Sequence, residues 1–434
     1  MAHVALTGRA GLVALAGAAV VGLLVPSGLG VLVVTGLLVL LVVVDVALAG
    51  SVRRLRLQRD GDTAVRLGEP ATVRLTVAND SGRRVRGRLR DAWPPSAGAT
   101  SQRHPIDVPP GERRRVTTAM RPTRRGDRLA ARVTVRSLGP LGLAGRQGSH
   151  EVPWRLRVLP PFTSRRHLPS RLARLRELDG RTAVMVRGQG TEFDSLREYV
   201  GGDDVRSIDW RASARAADVM VRTWRPERDR RVLLLLDCGR TAAARVGDAP
   251  RLDAAMDAAL LLAALAARAG DRVDLLAYDR RVRARVEGVA ATGLLPALVQ
   301  AMAPLEAALV EPDYAGMVRT VLAGSSRRSL VVLLTALAAA PVEQGLLPVL
   351  GPLVHRHQVV LASVGDPRVA QMAAGRGDAE AVYEAAAAER ARGERRRVAA
   401  LLGRRGVEVV DSGPETLAPD LADRYLALKA AGRL

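Results

Sequence analysis

Between Ala10 and Gly50 the chain carries a single charged side chain, Asp45. The stretch "PSG", Pro26 to Gly28, divides this apolar run into residues 10–25 and residues 29–50. As helices the first would be about 24 Å long and the second long enough for a bilayer core. The expected arrangement is two membrane spans joined by a tight turn. The alternative is a cleaved signal peptide ahead of an anchor, but only His3 and Arg9 carry basic character there and no clear cleavage site follows. "SVRRLRLQR" comes next and supplies Arg53, Arg54, Arg56 and Arg59, whereas the loop between the spans is uncharged. Positive-inside asymmetry then sets residues 51 onward in the cytoplasm, giving a two-pass cell-membrane protein. Asp45 is expected to snorkel or to pair with a neighbouring arginine.

The 434 residues leave room for two or three domains. From Thr63 the period becomes two. "TAVRLGEPATVRLTVAND", "RVRGRLRDAW", "RRVTTAMRP", "LAARVTVRS" and "WRLRVLP" read as short strands separated by turns, and no helical period interrupts them. A β-sandwich over 51–160 is expected, its alternate arginines forming a solvated sheet face. Beyond residue 230 strands alternate with helices. Continuous Val/Leu runs in "RVLLLLD", "SLVVLLT" and "QVVLASVG" imply strands buried on both faces, hence a mostly parallel α/β sheet over 231–434. The tight Asp279-Arg280 turn marks an antiparallel edge, and helices are expected near 342–355 and 378–403.

Charge limits the partners. There are 66 Lys plus Arg against 44 Asp plus Glu, a net charge of +22, yet Lys429 is the only lysine and aromatics are 3%. A chain with so few stacking side chains is a poor nucleic-acid binder, and membrane lipid is the better anionic neighbour. Cys238 stands alone, so no intramolecular disulfide can form.

Residues 161–230 join the two bodies and contain "GTEFDSLREYVGGDDVRSIDWRASAR", Gly190 to Arg215. Gly201-Gly202 permits a tight turn. Asp203, Asp204 and Asp209 lie close in sequence to Arg206, Arg211 and Arg215, with Trp210 available to anchor the segment against a core. The bland reading is a folded ion-pair network, since structural networks also gather charges. This segment closely resembles the signature of the bacterial domain of unknown function 58 family. "RRGDRLAARVTVRSLGPLGL" and the two apolar segments resemble that family as well. The resemblance implies a von Willebrand factor A-like domain with a doubly wound sheet, and a MoxR-type AAA+ ATPase as companion. It supplies no reaction.

"RVLLLLDCGRT" ends on Asp237, at the carboxyl end of a strand, where α/β sheets bind ligands. A von Willebrand A domain holds Mg²⁺ through Asp-x-Ser-x-Ser with a later Thr and Asp, a set of hard oxygen ligands. Carried over, Asp237 matches the first ligand and Thr241 can replace the second serine. Gly239, Pro312 and Ala336 leave the other three positions empty, so no metal is expected. Asp-x-Gly-x-Thr also occurs in actin-like phosphate loops, but a β-hairpin follows there and a helix follows here. A haloacid-dehalogenase-like phosphatase would use Asp237 as nucleophile, with Thr335, Asp366 and a lysine, but its acid/base position is Gly239. No P-loop, nucleophile elbow or metal-spaced cysteine set appears.

The expected protein is therefore a non-enzymatic, cofactor-free membrane adaptor. Its binding-surface candidates are Asp237, Gly239, Thr241, Asp203, Asp204, Arg206, Asp209 and Trp210. The two alternatives are divalent-metal-dependent ligand binding at Asp237 and Thr241, supplemented by Asp209 or Asp253, and the phosphatase.

Overall fold

The computed structural model describes residues 3–24, 26–185, 192–201, 203–216, 218–225, 230–324 and 327–434. Gly190, Thr191 and Gly202 of the signature lie outside the described residues. The chain forms two compact units, Met1–Leu159 and Pro160–Leu434.

The first unit begins with a strand, His3–Leu6, followed by helices Gly8–Leu24 and Gly28–Leu48. The hydroxyl of Ser27 accepts from Gly30 N at 3.1 Å and caps the second helix, which explains why "PSG" divides the run. Gly17 lets the helices approach, since a Cβ there would lie 2.6 Å from Val34 Cγ1. Gly28–Arg54 is long and apolar enough to cross a membrane, with mean hydropathy 3.0; Gly8–Leu24 is shorter.

A sandwich follows. One sheet runs in the order His3–Leu6, Ala144–Leu159, Gly126–Leu138, Val85–Asp91, Arg103–Val108, and Ala64–Arg66 pairs parallel to Ala144–Leu159. The other contains Leu55–Gly61, Ala71–Asn79 and Arg113–Met120. Ala71, Val73, Leu75 and Val77 alternate inward, and Leu75 and Val77 share a core with Val85, Leu89, Val133 and Val135 of the facing sheet. The inner faces also hold a polar cluster. Arg59 and Asp91 form a buried ion pair, and Asp91 Oδ2 accepts from Trp93 Nε1 at 2.9 Å and Thr118 Oγ1 at 3.2 Å. Arg59 thus departs from the exposed basic flank expected of it.

Asp45 departs further from expectation. It is wholly buried, and among the described residues no arginine pairs with it. Its carboxylate accepts from Leu141 N at 2.8 Å and from Leu143 N and Ala144 N at 2.7 Å each, amides of the Gly-Pro-Leu-Gly-Leu turn and of the strand residue that follows it. A carboxylate out of water is stable only when donors replace its hydration, and these three do so. Gly139 is the residue that lets the two meet, because a Cβ there would lie 2.1 Å from Asp45 Oδ1. Thr7 completes the joint by donating from its hydroxyl to Gly142 O at 2.7 Å.

In the second unit six strands form a mixed sheet: β1 (Arg231–Asp237), β2 (Arg272–Tyr278), β3 (Val282–Val286), β4 (Leu330–Leu334), β5 (Gln358–Val364) and β6 (Val407–Ser412). Their order is β3-β2-β1-β4-β5-β6, parallel except for the β3 edge. Helix Arg251–Arg268 is apolar almost all round and nearly every residue of it is buried. On the other face Leu233, Leu235, Val331, Leu333 and Leu361 pack with Met317, Leu350, Leu353, Val398 and Leu402 from later helices. The helix expected at 342–355 starts as a wide turn over Pro341–Leu346 and becomes α-helical only over Leu350–Arg356. Pro341, Pro348 and Pro352 each lack the amide a regular helix would use.

Replacing Asp45 with Ala should destabilise the first unit by about 3 kcal/mol, because two buried amides and one half-buried amide lose their acceptor. Asp45→Asn should cost less. Thermal unfolding of the full chain in detergent reads this, and a wild-type midpoint for Asp45→Ala would refute the joint.

Candidate functional site

From β1 the chain steps to β2 and β3 on one side and then crosses back to β4 on the other, so the crevice between β1 and β4 is where such a sheet opens. Leu236 and Leu334 are register partners, which sets Asp237 beside Thr335 at the carboxyl ends. Asp237 is 1% exposed. Its Oδ1 accepts from Gly239 N at 2.8 Å, and its Oδ2 accepts from Thr335 Oγ1 at 2.5 Å and Thr241 Oγ1 at 3.2 Å. Thr335 has one hydroxyl proton, already donated to Asp237, so Tyr314 must be the donor in the 3.0 Å contact between Tyr314 and Thr335. The result is a directed chain, Tyr314 to Thr335 to Asp237.

A lid closes over this chain. Pro312 lies so close that a Cβ at residue 239 would be 2.7 Å from Pro312 Cγ. Two backbone bonds hold the two loops together, Ala308 N to Cys238 O and Arg240 N to Val310 O, and Cys238 N also donates to Tyr278 O at the end of β2, each at 2.8 Å. Gly239 is therefore explained by close packing, and Ala336 is a buried apolar residue. Asp279, at the end of β2, is 3% exposed; its Oδ1 accepts from Arg281 N at 3.1 Å and its Oδ2 lies 3.3 Å from Arg283 Nη1. Among the described residues no three His, Cys, Asp or Glu side chains gather as a metal would require. Asp209 and Asp253 thus complete no such group with Asp237.

Burial pushes the Asp237 carboxyl above its ordinary range, with nearby Asp279 adding to the effect; the donations from Thr335, Gly239 and Thr241 oppose it. Burial likewise raises the Tyr314 phenol, reinforced by the Asp237 charge.

The other phosphatase candidates lie elsewhere. Asp366 caps helix Pro367–Ala373 by accepting from Arg368 N at 2.9 Å. Lys429 Nζ is 3.2 Å from buried Asp271, which directly precedes β2 at the opposite end of the sheet. The sole lysine therefore lies far from Asp237 along the strand direction.

The signature segment folds as the antiparallel pair Glu192–Glu198 and Met220–Arg225, enclosing a short helix, Trp210–Ala216. Asp203 pairs with Arg197 at 2.6 Å and accepts from Val200 N at 3.0 Å. Asp204 caps the turn Val205–Ser207 by accepting from Arg206 N. Asp209 caps the short helix through Arg211 N and Ala212 N and binds Arg222 Nε at 2.8 Å. The Ala212 and Arg222 contacts hold its carboxyl below the usual carboxylate range. Ion-pair partners thus come from the paired strands rather than from Arg206, Arg211 and Arg215, which are nearer in sequence.

Trp210 corrects a second expectation. It is 68% exposed and anchors nothing in a core. Val200 and Val205, at 60% and 61%, are exposed in the same segment. Sequence reasoning missed the partnership of Tyr314 and Thr335 with Asp237. The available signal was Thr335 itself, the first polar residue after the Val/Leu run of β4, matching Asp237 after that of β1.

Residues 195–396 match the family model described as Protein of unknown function DUF58. No curated protein matches the chain. Among solved structures, the CARDB domain of a Pyrococcus furiosus protein is 18% identical over 24% of this chain and 91% of that domain, with a TM-score of 0.18. A β-glucosidase from Listeria innocua is 14% identical over 24% of this chain and 16% of the enzyme, with a TM-score of 0.17. The PKD domain of an M14-like peptidase from a Thermoplasmatales archaeon is 16% identical over 23% of this chain and 91% of the domain, TM-score 0.16. Likenesses at these scores say nothing of function.

The raised Asp237 carboxyl gives a signed pH prediction. The folded state holds its proton to higher pH than the unfolded chain, so this group's contribution to stability falls as pH rises from about 4 towards the raised value. The melting temperature of the wild type minus that of Asp237→Asn should therefore fall between about pH 4 and pH 7. A difference that stays flat or grows would mean the carboxyl is not raised.

Proposed function

This chain belongs to the DUF58 family, and on that premise we propose that it is a non-enzymatic, membrane-anchored scaffold that binds protein partners. The carrying observation is the exposure of Trp210 beside Val200 and Val205 in the signature segment. An exposed tryptophan on a hydrogen-bonded framework has the character of an interface anchor, and apolar side chains grouped on a surface mark binding sites.

Three further features support the reading. The strand order β3-β2-β1-β4-β5-β6 with an antiparallel β3, helices on both faces and a central crevice favour a doubly wound, von Willebrand A-like domain. Its metal position is degenerate: Asp237 spends its lone pairs on internal donors, and Gly239, Pro312 and Ala336 offer no side-chain oxygen. The same saturation leaves Asp237 unavailable as a nucleophile. In the first unit His3–Leu6 and the residues after the second helix belong to one sandwich, so the ends of both helices lie on one side of any membrane they cross. That favours a two-pass hairpin, and the arginines after it favour a cytoplasmic sandwich. The family resemblance makes a MoxR-type AAA+ ATPase the partner to test.

The full chain, purified in detergent, should capture such an ATPase in the presence of EDTA. Trp210→Ser should weaken capture at least about tenfold, the scale of a lost interface anchor. Tyr383→Ser, at another exposed aromatic outside the signature's described elements, should leave it unchanged. Capture abolished by EDTA would favour metal-bridged recognition at Asp237 and Thr241, and capture indifferent to Trp210→Ser would reject the surface.

A further inference from the structure

A cleft of about 1440 Å³ opens in the first unit where the two apolar helices meet the sandwich. Its charged lining is six arginines, Arg9, Arg83, Arg84, Arg86, Arg88 and Arg136, against one carboxylate, Asp107. Asp107 is already bound by Arg84, with Nη2 to Oδ2 at 2.6 Å. Arg83 donates to Ala47 O at the end of the second helix, and Arg136 donates through Nε and Nη2 to the neutral Gln147 Oε1 at 3.0 and 2.8 Å. Among the described residues no carboxylate pairs with Arg9, Arg88 or Arg136. The remaining wall is apolar: Leu6, Leu12 and Leu48, exposed at 61%, 68% and 49%.

The sheet face beside the cleft is built against its own stability. Arg88 lies directly opposite Arg136 across one strand pair, and Arg90 directly opposite Arg103 across the next. All four are exposed on the outer face, since Val85, Leu89, Val133 and Val135 occupy the inner one. Like charges facing each other across a sheet destabilise it, whereas an anion between them removes the repulsion. A merely solvated face would not need two such pairs beside the helices.

The depth of the cleft identifies the anion. Helix Gly28–Leu48 has 21 residues, about 32 Å of length, close to the hydrocarbon thickness of a bilayer. The cleft lies at that helix's end, beside Leu48, and beside the start of the first helix at Thr7 and Gly8. That is headgroup level, with guanidinium groups on one wall and exposed leucines continuing towards the acyl region. We infer that this cleft binds the phosphate of an anionic phospholipid between the arginines of strand Val85–Asp91, Arg136 and the start of the first helix. The inference rests on the membrane-anchored reading above.

The test is native mass spectrometry of the delipidated full chain in detergent, titrated with phosphatidylglycerol or phosphatidylcholine. Phosphatidylglycerol should bind at least about tenfold more tightly, as expected of several arginines acting on one charged headgroup. The triple variant Arg86→Gln/Arg88→Gln/Arg136→Gln should lose that preference while keeping its thermal midpoint. The matched triple Arg390→Gln/Arg392→Gln/Arg396→Gln, in helix Ala379–Arg404, should retain it. Equal binding of the two lipids, or a preference that survives the cleft variant, overturns the site. Displacement of the lipid by excess inorganic phosphate overturns the lipid assignment in favour of a free-phosphate site. An acidic peptide held in place of lipid, and lost in the cleft variant, overturns it in favour of a protein ligand. Recovery of the chain in the soluble fraction without detergent would refute the membrane reading itself, a result distinct from all of these.

Discussion

A carboxylate taken out of water must find donors, and both units are organised around one that does. In the first, Asp45 ends an apolar helix and is met by three amides nearly one hundred positions later in the chain. In the second, Asp237 ends the first strand of the sheet and is met by one amide and two hydroxyls. In neither case does a cation do this work. Such partners have fixed direction, so each carboxylate locks backbone geometry where a salt bridge would only balance charge. Around Asp45 that lock holds helix to sandwich. Around Asp237 it holds β1 to β4 at the point where an open crevice would otherwise form.

The same constraint closes over a position that invites chemistry. The loop carrying Pro312 packs onto Gly239, and two backbone bonds fasten it there. The carboxylate beneath is saturated and covered. In the signature segment the acids Asp203 and Asp209 are held in pairing and capping while Trp210 faces outward. The charged residues make the framework, while Val200, Val205 and Trp210 stay exposed.

Most of the architecture was legible in residue patterns. Period-two alternation marked the sandwich strands, unbroken Val/Leu runs marked strands covered on both faces, and Asp279-Arg280 marked the antiparallel edge. Each of these signals is local, arising from which face of an element is dry. Apart from the proline-interrupted helix near 342–355, the misreadings were of non-local contacts. Nothing near Asp45 in sequence indicates that its donors are Leu141, Leu143 and Ala144. Arg59 sits in a basic run and yet turns inward to Asp91, because strand alternation outranks composition. Trp210 was expected in a core since tryptophan is costly to expose, and only the fold shows the short helix carrying it outward. The pairing of Thr335 with Asp237 follows from β1–β4 register, which no single strand encodes.

The edge strand His3–Leu6 has a consequence for how the protein is made. Its partners, Ala144 to Gln147, follow it roughly 140 residues later, a delay on the order of ten seconds at ordinary synthesis rates. During that interval the helix behind it must find its environment without the sandwich that will anchor both ends. The closing of this sheet is therefore the latest step available to the first unit, with a large sequence separation to bridge. A strand made early becomes the last stitch, and a chain halted before Gln147 would leave that seam open.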